Sequence, residues 1–134
     1  MDNITCEKYL LGQPEATLDY PFGVDIKVFK VKNKMFATLA IGKMGKGDGK
    51  SDASDKGDWW MNLKCDPEEA VMLRDIFPSI IPGYHMNKRL WNTIILDGSI
   101  PQGEIERMID NSFKLVVSKM TKKDQQSILL YLAT

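Results

Sequence analysis

Between residues 24 and 41 apolar and polar positions alternate, imperfectly: IKVFKVK runs into a turn at Asn33-Lys34 and returns as MFATLAI. Both runs are rich in β-branched and aromatic residues, so the pattern predicts a β-hairpin. Asn33 tolerates the positive φ that a tight turn needs. With that turn, Phe29, Val31 and Phe36 share one face, and Lys30 and Lys32 share the other with Met35 and Ala37. Farther from the turn the lysine face becomes apolar through Ile26, Val28, Leu39 and Ile41. The hairpin is therefore expected to be covered on both faces at its base and to be wet and basic at its tip.

The period changes later in the chain. After Pro101, the residues Ile105, Met108, Ile109, Phe113, Val116, Val117 and Met120 recur at spacings of three and four, which predicts an amphipathic helix of about four turns. Thr121 with Asp124 resembles a capping box that opens a last helix with Ile128, Leu129 and Leu132 inward. WWMNLKC (59–65) reads as a strand entering a helix at Asp66-Pro67-Glu68-Glu69, where an N-cap Asp, a first-turn proline and two acids coincide. Pro78 and Pro82 keep residues 76–84 out of a helix interior or a central strand. NTIIL (92–96) is a short buried strand closed by Asp97-Gly98, and the first residues suit a short helix with Ile4, Tyr9, Leu10 and Leu11, ended by Gly12 and Pro14.

Strands first and helices later, without βαβ alternation, predict a two-layer α+β domain. The expected order is an N-terminal helix, a mainly antiparallel sheet of about five strands, and C-terminal helices packed on it. The 134 residues fit a single domain, 1–134, interrupted by GKMGKGDGKSDASDKGD at 42–58, which has almost nothing to bury and is expected to be a flexible loop.

Composition narrows the function classes. Eighteen Lys plus Arg balance 18 Asp plus Glu, which argues against a protein coated in positive charge. Cys6 and Cys65 lie far apart with no CxxC, so the expected compartment is the reducing cytoplasm. With one histidine and no spaced ligand set, neither a metal nor another cofactor is expected. The N-terminus lacks a secretory pattern, and no apolar run approaches the ~20 residues that span a bilayer, so no membrane association is expected.

The glycine-rich stretch is not a P-loop: Gly49-Lys50-Ser51 matches the second half of the motif, but Met44 stands at the first glycine position and no apolar helix follows. Its Asp48 and Asp52 do not have calcium-loop spacing. His85 could serve as a base and Ser79, Ser99 or Cys65 as nucleophiles, yet none lies in a recognised elbow, so an enzyme is the least supported class. Trp59, Trp60 and the eight methionines fit core positions.

Residues 83–98, GYHMNKRLWNTIILDG, bring an imidazole, an amide, two cations and an indole together beside a strand. That mixture suits phosphate contact and base stacking, and equally an anionic small molecule or a partner's carboxylates. A polar turn with Trp91 packed inward is the structural alternative.

The same segment carries a resemblance. Asp19-Tyr20-Pro21-Phe22-Gly23, Phe29-Lys30-Val31, Lys34-Met35-Phe36-Ala37 and Asn62-Leu63-Lys64-Cys65 with Pro67 form its first half. Pro82-Gly83-Tyr84-His85-Met86-Asn87-Lys88, Trp91-Asn92-Thr93, Asp97-Gly98-Ser99 and Pro101 complete it. In this order, with HxNKxxW at the centre, the chain resembles the MmcQ/YjbR family, small bacterial proteins described as DNA-binding-like with a double-wing motif. The resemblance implies a two-layer α+β fold and a DNA-binding role. The position before Trp91, commonly histidine in that family, is Leu90, so no role needing two imidazoles carries over.

Two functions follow as expectations. In the first, DNA is the partner: Lys30, Lys32 and Lys34 at the hairpin tip form one wing, and His85, Asn87, Lys88 and Arg89 lie near the other contact surface. In the second, the HxNKxxW segment is a polar pocket for a small anion or a protein, with Trp91 as its wall. The charge distribution permits either. Residues 27–34 and 76–96 hold six cations and no acid, while residues 1–26 hold five acids and one lysine.

Overall fold

The computed structural model describes residues 1–42 and 58–132, with side chains as far as Leu130. The loop expected at 42–58 therefore lies almost wholly outside the described residues. Its two ends are adjacent, since the Gly42 amide donates to the Asp58 carbonyl at 2.9 Å.

The chain forms α1 (Asn3–Leu11), β1 (Ala16–Asp19), β2 (Lys27–Val31), β3 (Lys34–Ile41), β4 (Trp59–Lys64) and α2 (Pro67–Ile76). It continues with β5 (Ile80–Pro82), β6 (Trp91–Ile95), α3 (Gln102–Ser118) and α4 (Lys122–Leu132). All the strands join one antiparallel sheet in the order β1-β2-β3-β4-β6-β5. The expected α+β class holds, with six strands among the described residues rather than about five. The short edge strands β1 and β5 account for the difference: ATLD and IIP pair on one side only and carry too few residues to show a period.

Helix boundaries follow local chemistry. Asp2 caps α1 by accepting from the Thr5 amide at 2.7 Å, and Asp66 caps α2 through the Glu68 amide at 3.0 Å. In α1 the inward residues are Cys6 and Leu10, while Ile4 and Leu11 face out. Helix α3 buries Ile105, Met108, Ile109, Phe113 and Val116, as its periodicity predicts. In α4 only Ile128 of the expected inward set is buried; Leu129 is exposed, and the side chain of Leu132 lies outside the described residues.

The helices pack on one face of the sheet, α1 against β1 and β3, α2 against β5 and β6, and α3 against β3 and β4. Phe29, Phe36, Leu39, Met61, Leu63 and Ile94 meet Ile109, Phe113 and Ile128 there. Each large side chain so buried contributes about 1.5–3 kcal/mol. Val28, Thr38, Ala40, Asn62 and Thr93 are buried on the opposite face. Among the described residues no helix is long and apolar enough to cross a membrane.

The hairpin departs from its expected register. The turn is Lys32-Asn33, both at positive φ (46° and 66°), which makes a two-residue loop of the twist hairpins prefer. Val31 then faces Lys34 and Lys30 faces Met35, but Phe29 faces Ala37, so Phe36 is an extra residue on β3. The bulge places Ala37 and Leu39 on the helix side with Phe29 and Phe36, not on the lysine side.

Candidate functional site

Antiparallel pairing brings three chain segments to one end of the sheet. The β2–β3 turn is there, because Ala37 pairs with Leu63 near the start of β3 and the end of β4. Lys64, the last residue of β4, faces Trp91, the first of β6, and the 83–90 turn leads into that strand. The hairpin tip and the HxNKxxW segment thus share one end of the sheet with β4 between them, a separation of about two strand spacings, or ~10 Å.

The hairpin lysines are largely engaged. Lys27 pairs with Glu7 of α1, Lys30 with Asp19 of β1 at 3.0 Å, and Lys32 with Glu15 at 3.2 Å. Three of the five acids of residues 1–26, Glu7, Glu15 and Asp19, therefore fold onto the cations of the hairpin. Ser127 and Lys32 hold the Glu15 carboxyl below its usual range, and Lys30 with the Tyr20 amide does the same for Asp19. Lys34 is exposed and, among the described residues, has no carboxylate partner.

Two side chains of the HxNKxxW segment, Asn87 and Lys88, are spent on closing their own turn. Asn87 Oδ1 accepts from the Arg89 and Leu90 amides at 2.9 and 3.2 Å, closing the turn. Lys88 Nζ donates to the Gly83 carbonyl at 3.0 Å, and Arg74 Nη1 reaches from α2 to Asn92 Oδ1 at 2.8 Å. Trp91 is only 9% exposed and packs on Gly83. His85, at φ 60°, is exposed, with its ring 4.1 Å from that of Tyr84, which meets Trp60 edge-on at 5.8 Å. Arg89 is exposed and unpaired among the described residues.

Gly83 is required by this packing. A Cβ there would lie 2.8 Å from Trp91 Cβ and 2.9 Å from the Trp91 carbonyl oxygen. Gly83→Ala is expected to lower stability by about 1–3 kcal/mol, the usual cost of overpacking. A lower urea midpoint at constant m-value would show it; an unchanged midpoint would contradict the close approach.

Two cations absent from the sequence-level candidates complete the site. Lys64 at the end of β4 and Lys119 at the C-cap of α3 line, with Lys32 and Lys34, a cleft of about 420 Å³ beneath the hairpin tip. Lys64 is positioned from below. Its amide donates to Ser112 Oγ at 2.8 Å, and that buried hydroxyl donates to the Phe36 carbonyl at 2.6 Å. Lys64 ends a readable strand and Lys119 a readable helix, but no spacing in the sequence links them.

The candidate nucleophiles are differently placed. Ser79 and Ser99 both donate to the Asp97 carboxylate, Ser99 at 2.6 Å, and hold it below its usual range, at the far end of β5 from His85. The thiol of Cys65 is pushed up to about 11 by burial and by Glu69 and Asp66, so it stays protonated at neutral pH. Cys6, buried in the core, is likewise pushed up to about 11. Among the described residues no group of His, Cys, Asp and Glu gathers as a metal site would require.

Comparison with known proteins identifies the lineage. A protein of Escherichia coli O157:H7 called "Uncharacterized protein YbdF" is 32% identical over 124 residues, 92% of this chain and 91% of that one. "Uncharacterized protein YyaQ" of Bacillus subtilis is 47% identical over 55 residues, 41% of this chain and 46% of its own. The crystal structure of Deinococcus radiodurans protein DR2400, with domain DUF419, superposes with a TM-score of 0.78 at 28% identity, covering 95% of this chain and 87% of that one. A crystal structure of a Pseudomonas syringae protein gives a TM-score of 0.71 at 32% identity, over 86% of this chain and 98% of that one. The sequence profile of the YjbR family matches residues 11–115, and with this fold and these relatives the chain belongs to the YjbR family.

Proposed function

We propose that the chain binds DNA through the cationic end of its sheet. The observation that supports this reading is the convergence there of Lys34, Lys64 and Arg89, from three separate segments, none with a carboxylate partner among the described residues. Ammonium and guanidinium groups spaced along strand ends meet backbone phosphates, releasing the counterions condensed on the duplex. The hairpin tip acts as one wing, with Lys34 rather than Lys30 or Lys32 making its contact, since the latter two already hold Asp19 and Glu15. The turn at 83–90 is the second element, offering Arg89 to phosphate and the exposed His85 imidazole beside it. Asn87, Lys88 and Trp91 support that turn rather than touch the ligand, which also counts against a polar pocket built from them.

Fluorescence anisotropy with a short duplex tests the reading. The expected dissociation constant lies in the non-specific range, about 10⁻⁴–10⁻⁶ M, and three phosphate contacts give a log–log salt slope of roughly −3. Lys34→Ala or Arg89→Ala should each make the slope shallower by about one. Absence of binding below about 100 μM at low salt would overturn the proposal.

A further inference from the structure

We infer that the cleft between the hairpin tip, β4 and the α3–α4 junction is a discrete binding site for a phosphomonoester of about nucleotide size. This deepens the DNA-binding reading and rests on it only for the source of the phosphoryl group. Four lysines, Lys32, Lys34, Lys64 and Lys119, line the same concave space, with Asp124 as the one acid in its lining. Lys32 is paired with Glu15 at 3.2 Å, but Lys34, Lys64 and Lys119 have no carboxylate within ion-pair reach among the described residues. Like charges drawn together in a partly walled cleft repel one another more strongly than in open water, because low-dielectric walls focus their field. A dianion set among them converts that repulsion into attraction, and ammonium groups bind a phosphoryl group as point charges from several directions.

The remaining walls argue for an organic body behind the phosphate. Met35, Val116 and Met120 supply an apolar side, and a volume of about 420 Å³ exceeds what inorganic phosphate fills. It lies within the range of about 300–1,000 Å³ typical of pockets for small organic ligands. The methionines are adaptable enough to lie against a planar ring. The rigidity of the site comes from Ser112, which ties Lys64 to the β3 bulge, and from the two-residue turn that fixes Lys32 beside Lys34. A free mononucleotide and the terminal phosphate of a nucleic-acid strand present the same chemistry.

Isothermal titration calorimetry on the full chain with inorganic phosphate, AMP and a 5′-phosphorylated oligonucleotide separates these sources, alongside anisotropy with an unphosphorylated duplex. AMP is expected to bind at least tenfold more tightly than inorganic phosphate. The double variant Lys64→Gln/Lys119→Gln should weaken AMP at least tenfold, while Lys114→Gln, an exposed α3 lysine outside the cleft, leaves it within twofold. Thermal melts of each variant check that it is folded. Loss of AMP and of the phosphorylated oligonucleotide in the double variant supports the inference, the tighter of the two naming the source. Duplex binding that persists while AMP and the phosphorylated oligonucleotide are indifferent to Lys64 and Lys119 overturns the inference and leaves the DNA reading standing. AMP binding that depends on those lysines, with no duplex binding, does the reverse.

Discussion

Phe113→Ala is expected to remove about 3–5 kcal/mol of stability, a large part of the roughly 5–15 kcal/mol that holds a domain of this size together. Phe113 is 3% exposed on α3, and its ring meets that of Phe36 edge-on, 5.4 Å between centroids and 86° between planes. The loss combines the transfer free energy of a buried aromatic side chain with the cavity it leaves, and an edge-to-face pair adds about 0.5–1.5 kcal/mol of its own. Phe36 is the extra residue of the β3 bulge, so this contact fastens the irregular part of the hairpin to α3. Urea denaturation measures the effect, and a double-mutant cycle with Phe36→Leu isolates the ring pair. A loss below about 1 kcal/mol would mean that α3 is not anchored through this contact.

Ser112→Ala is expected to cost about 2–4 kcal/mol although it removes a single oxygen. The hydroxyl is fully buried and serves as donor to the Phe36 carbonyl and acceptor for the Lys64 amide. Beyond the Ala37–Leu63 pair, this bridge stands where direct hydrogen bonding between β3 and β4 ends. Its removal leaves the buried Phe36 carbonyl and the partly buried Lys64 amide without this partner, at about 1–3 kcal/mol for a fully buried group and less for the other. Ser112→Cys, which keeps a weak donor and acceptor, should recover only part of the loss. Hydrogen exchange at the Lys64 amide gives a local readout: it should accelerate in Ser112→Ala by more than global unfolding explains. Exchange that tracks global stability alone would contradict the bridging role.

The residues that were legible in the sequence are those whose structure is decided within a few positions. The apolar spacing of Ile105, Met108, Ile109 and Phe113 states which side of α3 is buried whatever it packs against, and Asp66-Pro67 states where α2 begins. The hairpin was legible as a hairpin. Its register was not, because a one-residue bulge moves Ala37 and Leu39 to the other face and leaves no mark on the alternation. HxNKxxW was legible as an unusual cluster of polar chemistry, yet that chemistry closes a turn: Asn87 Oδ1 accepts from the Arg89 and Leu90 amides, and Lys88 Nζ donates to the Gly83 carbonyl.

Charge shows the division most clearly. That cations gather at residues 27–34 and acids at residues 1–26, and that the charges of the whole chain sum to zero, is written in the order of the residues. Folding is what sets Glu7, Asp19 and Glu15 against Lys27, Lys30 and Lys32, and what gathers Lys34, Lys64 and Lys119, which have no such partner among the described residues, around one cleft beside Lys32. The physical reason is that a charge's surroundings depend on distance through space. Antiparallel pairing and helix docking bring residues tens of positions apart within a few ångströms, where the Coulomb interaction is decided.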